Sequence, residues 1–282
     1  MLPSKKSSLP SLAAMASRSV VGFFAWALIT GAHAQGVDVG KPSAVMRLVP
    51  AAQVERMAEQ QYAQLLAQAR EQRALAPEGH PQLVRLRAIA GRVITHANRF
   101  NAKAERWQWE VNLIGSKQVN AFCMPGGKIA FYTGILDRLK LTDDEIASVM
   151  GHEVAHALRE HARARIAKGQ LTELGASVLG QIIGQGRYAD LFRIGGDLLT
   201  LRFSREDETE ADVIGLELAA RAGYDPRAAV SLWQKMQAAD GRAPPQWLST
   251  HPSSGSRIEE IERQLPNVLP LYQPGAARKS TG

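Results

Sequence analysis

The sequence predicts a mainly helical α+β protein with a small mixed sheet beside one central helix. Three observations lead there. Apolar residues recur at three- and four-residue spacing along most of the chain, and residues 107–133 switch to a two-residue alternation. Two Ser/Thr-x-x-acid boxes, Thr142 with Glu145 and Ser204 with Asp207, mark helix starts. With 282 residues and 45% hydrophobic content, the chain is long enough for one substantial domain or two small ones with an ordinary core.

The first segment stands apart from that fold. Lys5, Lys6 and Arg18 precede an apolar run over residues 20–29, and Ala32-His33-Ala34 puts small residues at both positions that determine cleavage. Residues 1–34 therefore read as a signal peptide cut after Ala34. A retained anchor is the competing reading, but the run falls short of the roughly 20 apolar residues a spanning helix needs. The most apolar later stretch, 171–201, is interrupted by Glu173, Arg187, Asp190, Arg193 and Asp197, so no transmembrane anchor is expected after cleavage. The net charge of +7 includes three cations that leave with the signal, and the remainder is too mildly basic to argue for nucleic acid. Cys123 is the single cysteine, without an intrachain partner, and between Phe122 and Met124 it reads as a small buried hydrophobe. These features fit an exported protein without disulfides, and a bacterial periplasm is the expected compartment.

After a linker at 36–43, a helix rich in Ala, Gln, Glu and Arg is expected over 50–75, closed by Ala76-Pro77-Glu78-Gly79. A second should span 81–102, where Leu83, Leu86, Ile89, Ala90, Val93 and Ala97 form a core-facing stripe. Trp107, Trp109, Val111 and Leu113 alternate with polar residues as in a strand with one buried face, and Pro125-Gly126-Gly127 turns the chain into a strand over 128–133. The box at Thr142, reinforced by Asp143 and Asp144 at the positive end of the dipole, opens a helix running to about residue 168. Its last turns carry Arg159, His161, Arg163, Arg165 and Lys168, read as a solvated basic face. Residues 169–201 are Gly-rich and amphipathic and suggest one or two mobile helices. The box at Ser204 opens a helix to Arg221 that ends at Gly223, Asp225-Pro226 starts the next, and a flexible tail is expected over 266–282. Trp233, Met236 and Trp247 read as packing residues.

The strongest chemical signal is His152-Glu153-Val154-Ala155-His156. Residues four apart share a helix face, so both imidazoles can meet one ion while Glu153, one residue round, reaches a water on it. A hydrolytic zinc site needs three protein ligands and an open position. The helix from Ser204 offers Glu206, Asp207, Glu208, Glu210 and Asp212 for the third. Dipole complementation accounts for Glu206 and Asp207. Glu208 and Asp212 share a face set among Ala211, Val213, Ile214 and Leu216, so one can bind the ion while the other orients an imidazole. Glu210 points elsewhere.

Together with Asn120-Ala121-Phe122, Pro125-Gly126-Gly127 and the His251-Pro252 to Arg257-Ile258 segment, these motifs resemble the zinc endopeptidase family that includes the CAAX prenyl protease, HtpX and the mitochondrial inner-membrane protease Oma. The resemblance covers residues 83–261. It implies a zincin-like (gluzincin) catalytic domain holding one Zn2+ per chain through His152, His156 and Glu208, with Glu153 as general base and Asp212 behind a ligand. Lacking further spans, the chain is most similar within that family to the periplasmic quality-control proteases of the BepA type, without their long C-terminal helical repeats. The resemblance implies unfolded or misassembled envelope proteins as substrates and outer-membrane assembly machinery as a partner.

Two further sites are expected. The strand Lys128, Ile129, Ala130 and Phe131 can accept a substrate backbone by strand addition, with an ordinary core strand as the alternative. His251 either stabilises the oxyanion with Arg257, latches zinc's open position or caps its loop. The expected organisation is a signal peptide at 1–34, a linker and helical segment at 35–80, a metallopeptidase domain at 81–265 and a tail at 266–282. The rival from another class is a latched or non-catalytic zinc-bearing chaperone or binding module, and a weaker one is a non-proteolytic metallohydrolase.

Overall fold

Residues 36–183, 198–239, 246–252 and 255–274 are described by the computed structural model. The expected signal peptide lies outside them, as does part of the Gly-rich segment. Helix α1 (Ala51–Glu71) buries Val54, Ala58, Tyr62 and Ala69 along one stripe. It stops short of residue 75 because Arg73 takes a left-handed backbone, φ +54°, and the chain then pairs with the sheet, Ala76 N–H donating to the Leu113 carbonyl at 3.0 Å. Helix α2 (Pro81–Ile94) opens with Pro81 at its first position and buries the expected Leu83, Leu86, Ile89, Ala90 and Val93. It ends before residue 102 as the chain tightens into two short 3-10 turns, the second capped by the Asn101 side chain.

Strands β1 (Glu110–Ile114), β2 (Ala121–Met124) and β3 (Lys128–Tyr132) form a mixed sheet in the order β1-β3-β2. β3 is parallel to β1 and antiparallel to β2. The hairpin between β2 and β3 turns on Gly126 and Gly127, at φ +84° and +82°. A Cβ on Gly127 would also meet the Trp109 ring at 2.7 Å, so this glycine makes room for an indole of the same chain. The sheet is covered on both faces rather than one. Val111, Leu113, Ile129 and Phe131 join the main core, while Ile114, Met124 and Ala130 face a smaller core with Val54, Ala58 and Tyr62 of α1.

After the short α3 (Thr133–Leu139), helix α4 (Asp143–Leu158) begins at the expected capping box, with reciprocal bonds between Thr142 and Glu145. Every residue from Glu145 to Leu158 is buried, so the helix carrying the His-Glu-x-x-His motif runs through the middle of the protein. It does not continue to residue 168. Glu160 sits at φ +54°, the chain turns, and α5 (His161–Ile183) starts in a new direction. That break corrects the solvated basic face at its start, where Arg159 is 5% exposed and His161 3%, while Arg163 and Arg165 are half-buried and Lys168 is exposed.

Helix α6 (Arg205–Arg221) begins at the expected box on Ser204 and Asp207 and lies along α4. Helices α7 (Ala228–Ala238), α8 (Gln246–Thr250) and α9 (Gly255–Val268) complete the bundle. The ordered chain extends past the expected tail boundary, since α9 runs through Pro266 to a fully buried Val268 and Leu271 and Tyr272 pack on the core. No helix among the described residues is long and apolar enough to cross a membrane.

One contact sets the spacing of the two motif helices. A Cβ on Gly151 of α4 would lie 2.7 Å from the carbonyl oxygen of Gly215 on α6, and a Cβ on Gly215 would lie 2.8 Å from the backbone nitrogen of His152. The neighbours one turn away are also small and buried: Ala147 and Ala155 on α4, Ala211 and Ala219 on α6. In an isolated helix, Gly215→Ala would stabilise by about 1 kcal/mol through propensity. Here the methyl meets backbone that cannot rotate away, so we expect a net loss of about 1–3 kcal/mol by chemical denaturation, with weakened metal binding as the helices part. A variant as stable as the parent would show that the approach is not tight.

Candidate metal centre

The crossing of α4 and α6 brings the motif residues together. One ligand atom from each of His152, His156, Glu208 and His251 lies within 4.8 Å of the others, and all four residues are buried. The two Nε2 atoms of His152 and His156 are 3.1 Å apart. Glu208 presents one carboxylate oxygen to each, at 3.5 Å.

The proton positions follow from the outer partners. Asp212 Oδ1 lies 3.0 Å from His152 Nδ1. An ionised carboxylate only accepts, so Nδ1 carries a proton and Nε2 is the ring nitrogen turned inward, where an ion that displaces any proton would take its lone pair. Burial alone would raise the Asp212 pKa, but Arg257 and His152 more than offset it and hold the carboxyl below its usual range. Burial is also the largest influence on His152 and pushes its pKa down, yet Asp212 and Glu208 together raise it to about 9. The cluster therefore draws in positive charge. Burial drives His156 the other way, well below the ordinary value, which keeps it a neutral donor of a lone pair.

Glu208 remains ionised for the same reason, with burial opposing and His251 and His152 prevailing. Its Oε2 sits 2.6 Å from Arg257 Nη1 without hydrogen-bond alignment, so a buried carboxylate oxygen keeps an unused lone pair. Two imidazole Nε2 atoms and a carboxylate oxygen facing one point match the donor set of zinc. The residues fit the ion.

The catalytic candidates separate. Glu153 is 2% exposed, beside the cluster, and its Oε1 accepts a 2.6 Å bond from Trp247 Nε1. His251 reaches in from the segment after α8, its Nδ1 3.0 Å from Glu208 Oε1 and 3.2 Å from His152 Nε2, its Nε2 3.6 Å from Glu153. It stacks on Trp247 with ring centroids 4.9 Å apart. Arg257 cannot serve a substrate oxyanion. Its Nε and Nη2 each lie 2.7 Å from an oxygen of Asp212, and its Nη1 lies against Glu208 and the Pro252 carbonyl. With the guanidinium also 4.0 Å above the Trp233 ring, its role is to hold the carboxylates.

Strand addition at Lys128, Ile129, Ala130 and Phe131 is corrected by the sheet order. β3 is central and bonded on both edges, leaving its backbone no capacity for another chain. β2 is the edge strand beside α4. Asn120 to Pro125 line a narrow cleft of about 40 Å3 with Glu153, His156, Phe203 and His251.

Three side chains join the centre that the sequence places elsewhere. Trp247 binds the base candidate instead of only packing, Trp233 faces Arg257, and His161 contacts His156 instead of solvent. For Trp247 the sequence holds a signal, its place four residues before His251.

Removing Arg257 would leave Asp212 and Glu208 as uncompensated buried charges. We expect Arg257→Ala to cost about 3–5 kcal/mol in denaturant unfolding, and Arg257→Lys to recover little of it because a point charge cannot grip Asp212 with two parallel bonds. Wild-type stability in either variant would contradict this placement.

Comparison with known proteins supplies the lineage. Peptidase family M48 matches residues 81–265. Over 180 residues the chain is 42% identical to the Mitochondrial metalloendopeptidase OMA1 of Arabidopsis thaliana, an overlap of 63% of this chain and 36% of that one. It is 34% identical over 216 residues to the protein of the same name from Schizosaccharomyces pombe, covering 76% of this chain and 61% of the other. With the Beta-barrel assembly-enhancing protease of Escherichia coli it shares 28% identity over 199 residues, 66% of this chain and 39% of that protein. The chain thus spans from about a third to three-fifths of the length of these relatives. Since the matched region contains every member of the buried cluster, the chain belongs to peptidase family M48.

Proposed function

We propose that this protein is a zinc endopeptidase acting on unfolded or misassembled proteins of the cell envelope. The observation that carries the reading is the convergence of His152, His156 and Glu208 on one point with Glu153 alongside. When bound there, zinc supplies Lewis acidity and brings the pKa of a water down towards roughly 7.

The chain's own groups do the rest. Asp212 fixes the tautomer of His152, and Arg257 fixes Asp212 and Glu208. Glu153 takes a proton from the attacking water and delivers it to the leaving amine. Trp247 holds one oxygen of that carboxylate, which leaves the other for the proton. The unpaired edge of β2, with no further strand beside it among the described residues, offers backbone groups to an extended peptide along the cleft.

His251 supports a reading as a latch. Its Nδ1 faces the same point as the three ligand atoms, and its ring lines the cleft beside Glu153 and His156. Export through the Ala34 cleavage site, a periplasmic location and recruitment by outer-membrane assembly machinery belong to the same proposal. Their support is the N-terminal segment and the likeness to a beta-barrel assembly-enhancing protease.

The mature protein should cleave casein, lose that activity to a chelator and regain it with zinc. Cleavage indifferent to chelation would end the reading. Glu153→Gln should keep its zinc and fall by several orders of magnitude in turnover; an equally active variant would remove Glu153 as base. His251→Ala separates the latched enzyme from a zinc-bearing binding module, since turnover rises on releasing a latch, falls on losing a catalytic histidine and stays absent in a pure binder.

A further inference from the structure

A second histidine stands behind the metal ligand His156. His161 opens α5 just after the break at Glu160, and its Nδ1 lies 2.9 Å from His156 Nδ1. Its Nε2 lies 2.7 Å from Glu210 Oε2. Glu210 accepts but does not donate, so His161 carries its proton on Nε2 and turns a bare Nδ1 towards His156. His156 must then donate from Nδ1, which leaves its Nε2 bare and aimed at the centre. Phe203 stacks on the His156 ring at 4.0 Å and 30° and closes its other side.

The far end of this chain of bonds is fixed too. Glu210 forms an ion pair with Arg159, and Arg159 Nη2 donates to the backbone carbonyls of Val39 and Gly40 at 3.3 and 3.2 Å. His156, Arg159 and His161 come from one stretch of chain and the two carbonyls from another, and Glu210 on α6 joins them.

We propose that His161, held by Glu210, is a positioning residue that sets the ring orientation and tautomer of the metal ligand His156. The arrangement parallels the one Asp212 provides for His152, with an imidazole interposed between ligand and carboxylate. It accounts for Glu210, which shares no face with Glu208 and Asp212, and for a buried histidine the reaction does not otherwise use. The inference rests on the metal reading of the cluster, because orienting His156 matters only if that ring binds an ion.

The test is zinc affinity, measured by competition with a chromophoric chelator at fixed pH, on the full chain and on His161→Phe, Glu210→Gln and the double variant. Phenylalanine keeps an aromatic ring beside Phe203 but can neither accept from His156 nor donate to Glu210. His161→Phe should weaken zinc binding by about ten- to a hundredfold, the usual effect of removing a group that orients a ligand. Glu210→Gln should weaken it less, and the double variant should bind no worse than His161→Phe alone, because Glu210 acts through His161. Unchanged affinity in the single variants would overturn the proposal, as would losses that multiply in the double variant. Wild type that takes up no zinc would overturn both the proposal and the metal reading beneath it, whereas wild type binding one zinc beside equally tight variants sinks the proposal alone. Should His161→Phe lose cooperative unfolding, Glu210→Gln and Glu210→Ala carry the same comparison. A purely structural lesion lowers the unfolding midpoint of the metal-free chain without altering the affinity of what remains folded.

Discussion

The centre exists because two helices touch through their backbones. A carboxylate on α6 reaches imidazoles on α4 only if the axes come close, and the pair Gly151 and Gly215 removes the side chains that would hold them apart. Ala147, Ala155, Ala211 and Ala219 extend the small-residue contact by a turn in each direction. Glu208 and Asp212 then arrive beside His152 and His156 as a consequence of helix packing, with no flexible loop to position them.

Such an arrangement buries much charge, and the protein meets that cost by connecting its ions. Arg257 faces both Asp212 and Glu208, Asp212 faces His152, Arg159 faces Glu210, and Glu210 faces His161. These outer contacts hold the carboxylates and rings from outside, so two imidazole Nε2 atoms and Glu208 are turned towards a cation. The same geometry explains why the centre is asymmetric. His152 meets a carboxylate directly and is drawn upwards in pKa to about 9, while His156 meets the His161 ring and is pushed down by burial.

What the sequence made legible was local. Both capping boxes, the face shared by His152 and His156 and the pairing of Glu208 with Asp212 follow from helix geometry over a few residues, and all of them recur in the fold. Non-local facts were hidden. The order β1-β3-β2 places β2 at the edge, and nothing in the alternation of residues 107–133 distinguishes that from an order with β3 outside. The left-handed turn at Glu160 converts an apparent basic face into a buried corner, and no glycine or proline announces it. Arg257 reads in sequence as an oxyanion partner for His251, because the two carboxylates it holds lie 45 residues away or more. The four-residue spacing of Ala147, Gly151 and Ala155, repeated in Ala211, Gly215 and Ala219, was a readable sign of close helix contact.

Zinc X-ray absorption on the purified full chain tests the central claim most directly. The account predicts one zinc per chain with at least two imidazole nitrogens at about 2.0–2.1 Å, a carboxylate oxygen at a similar distance and no sulfur. A sulfur shell, or fewer than two imidazoles around the bound ion, would contradict it.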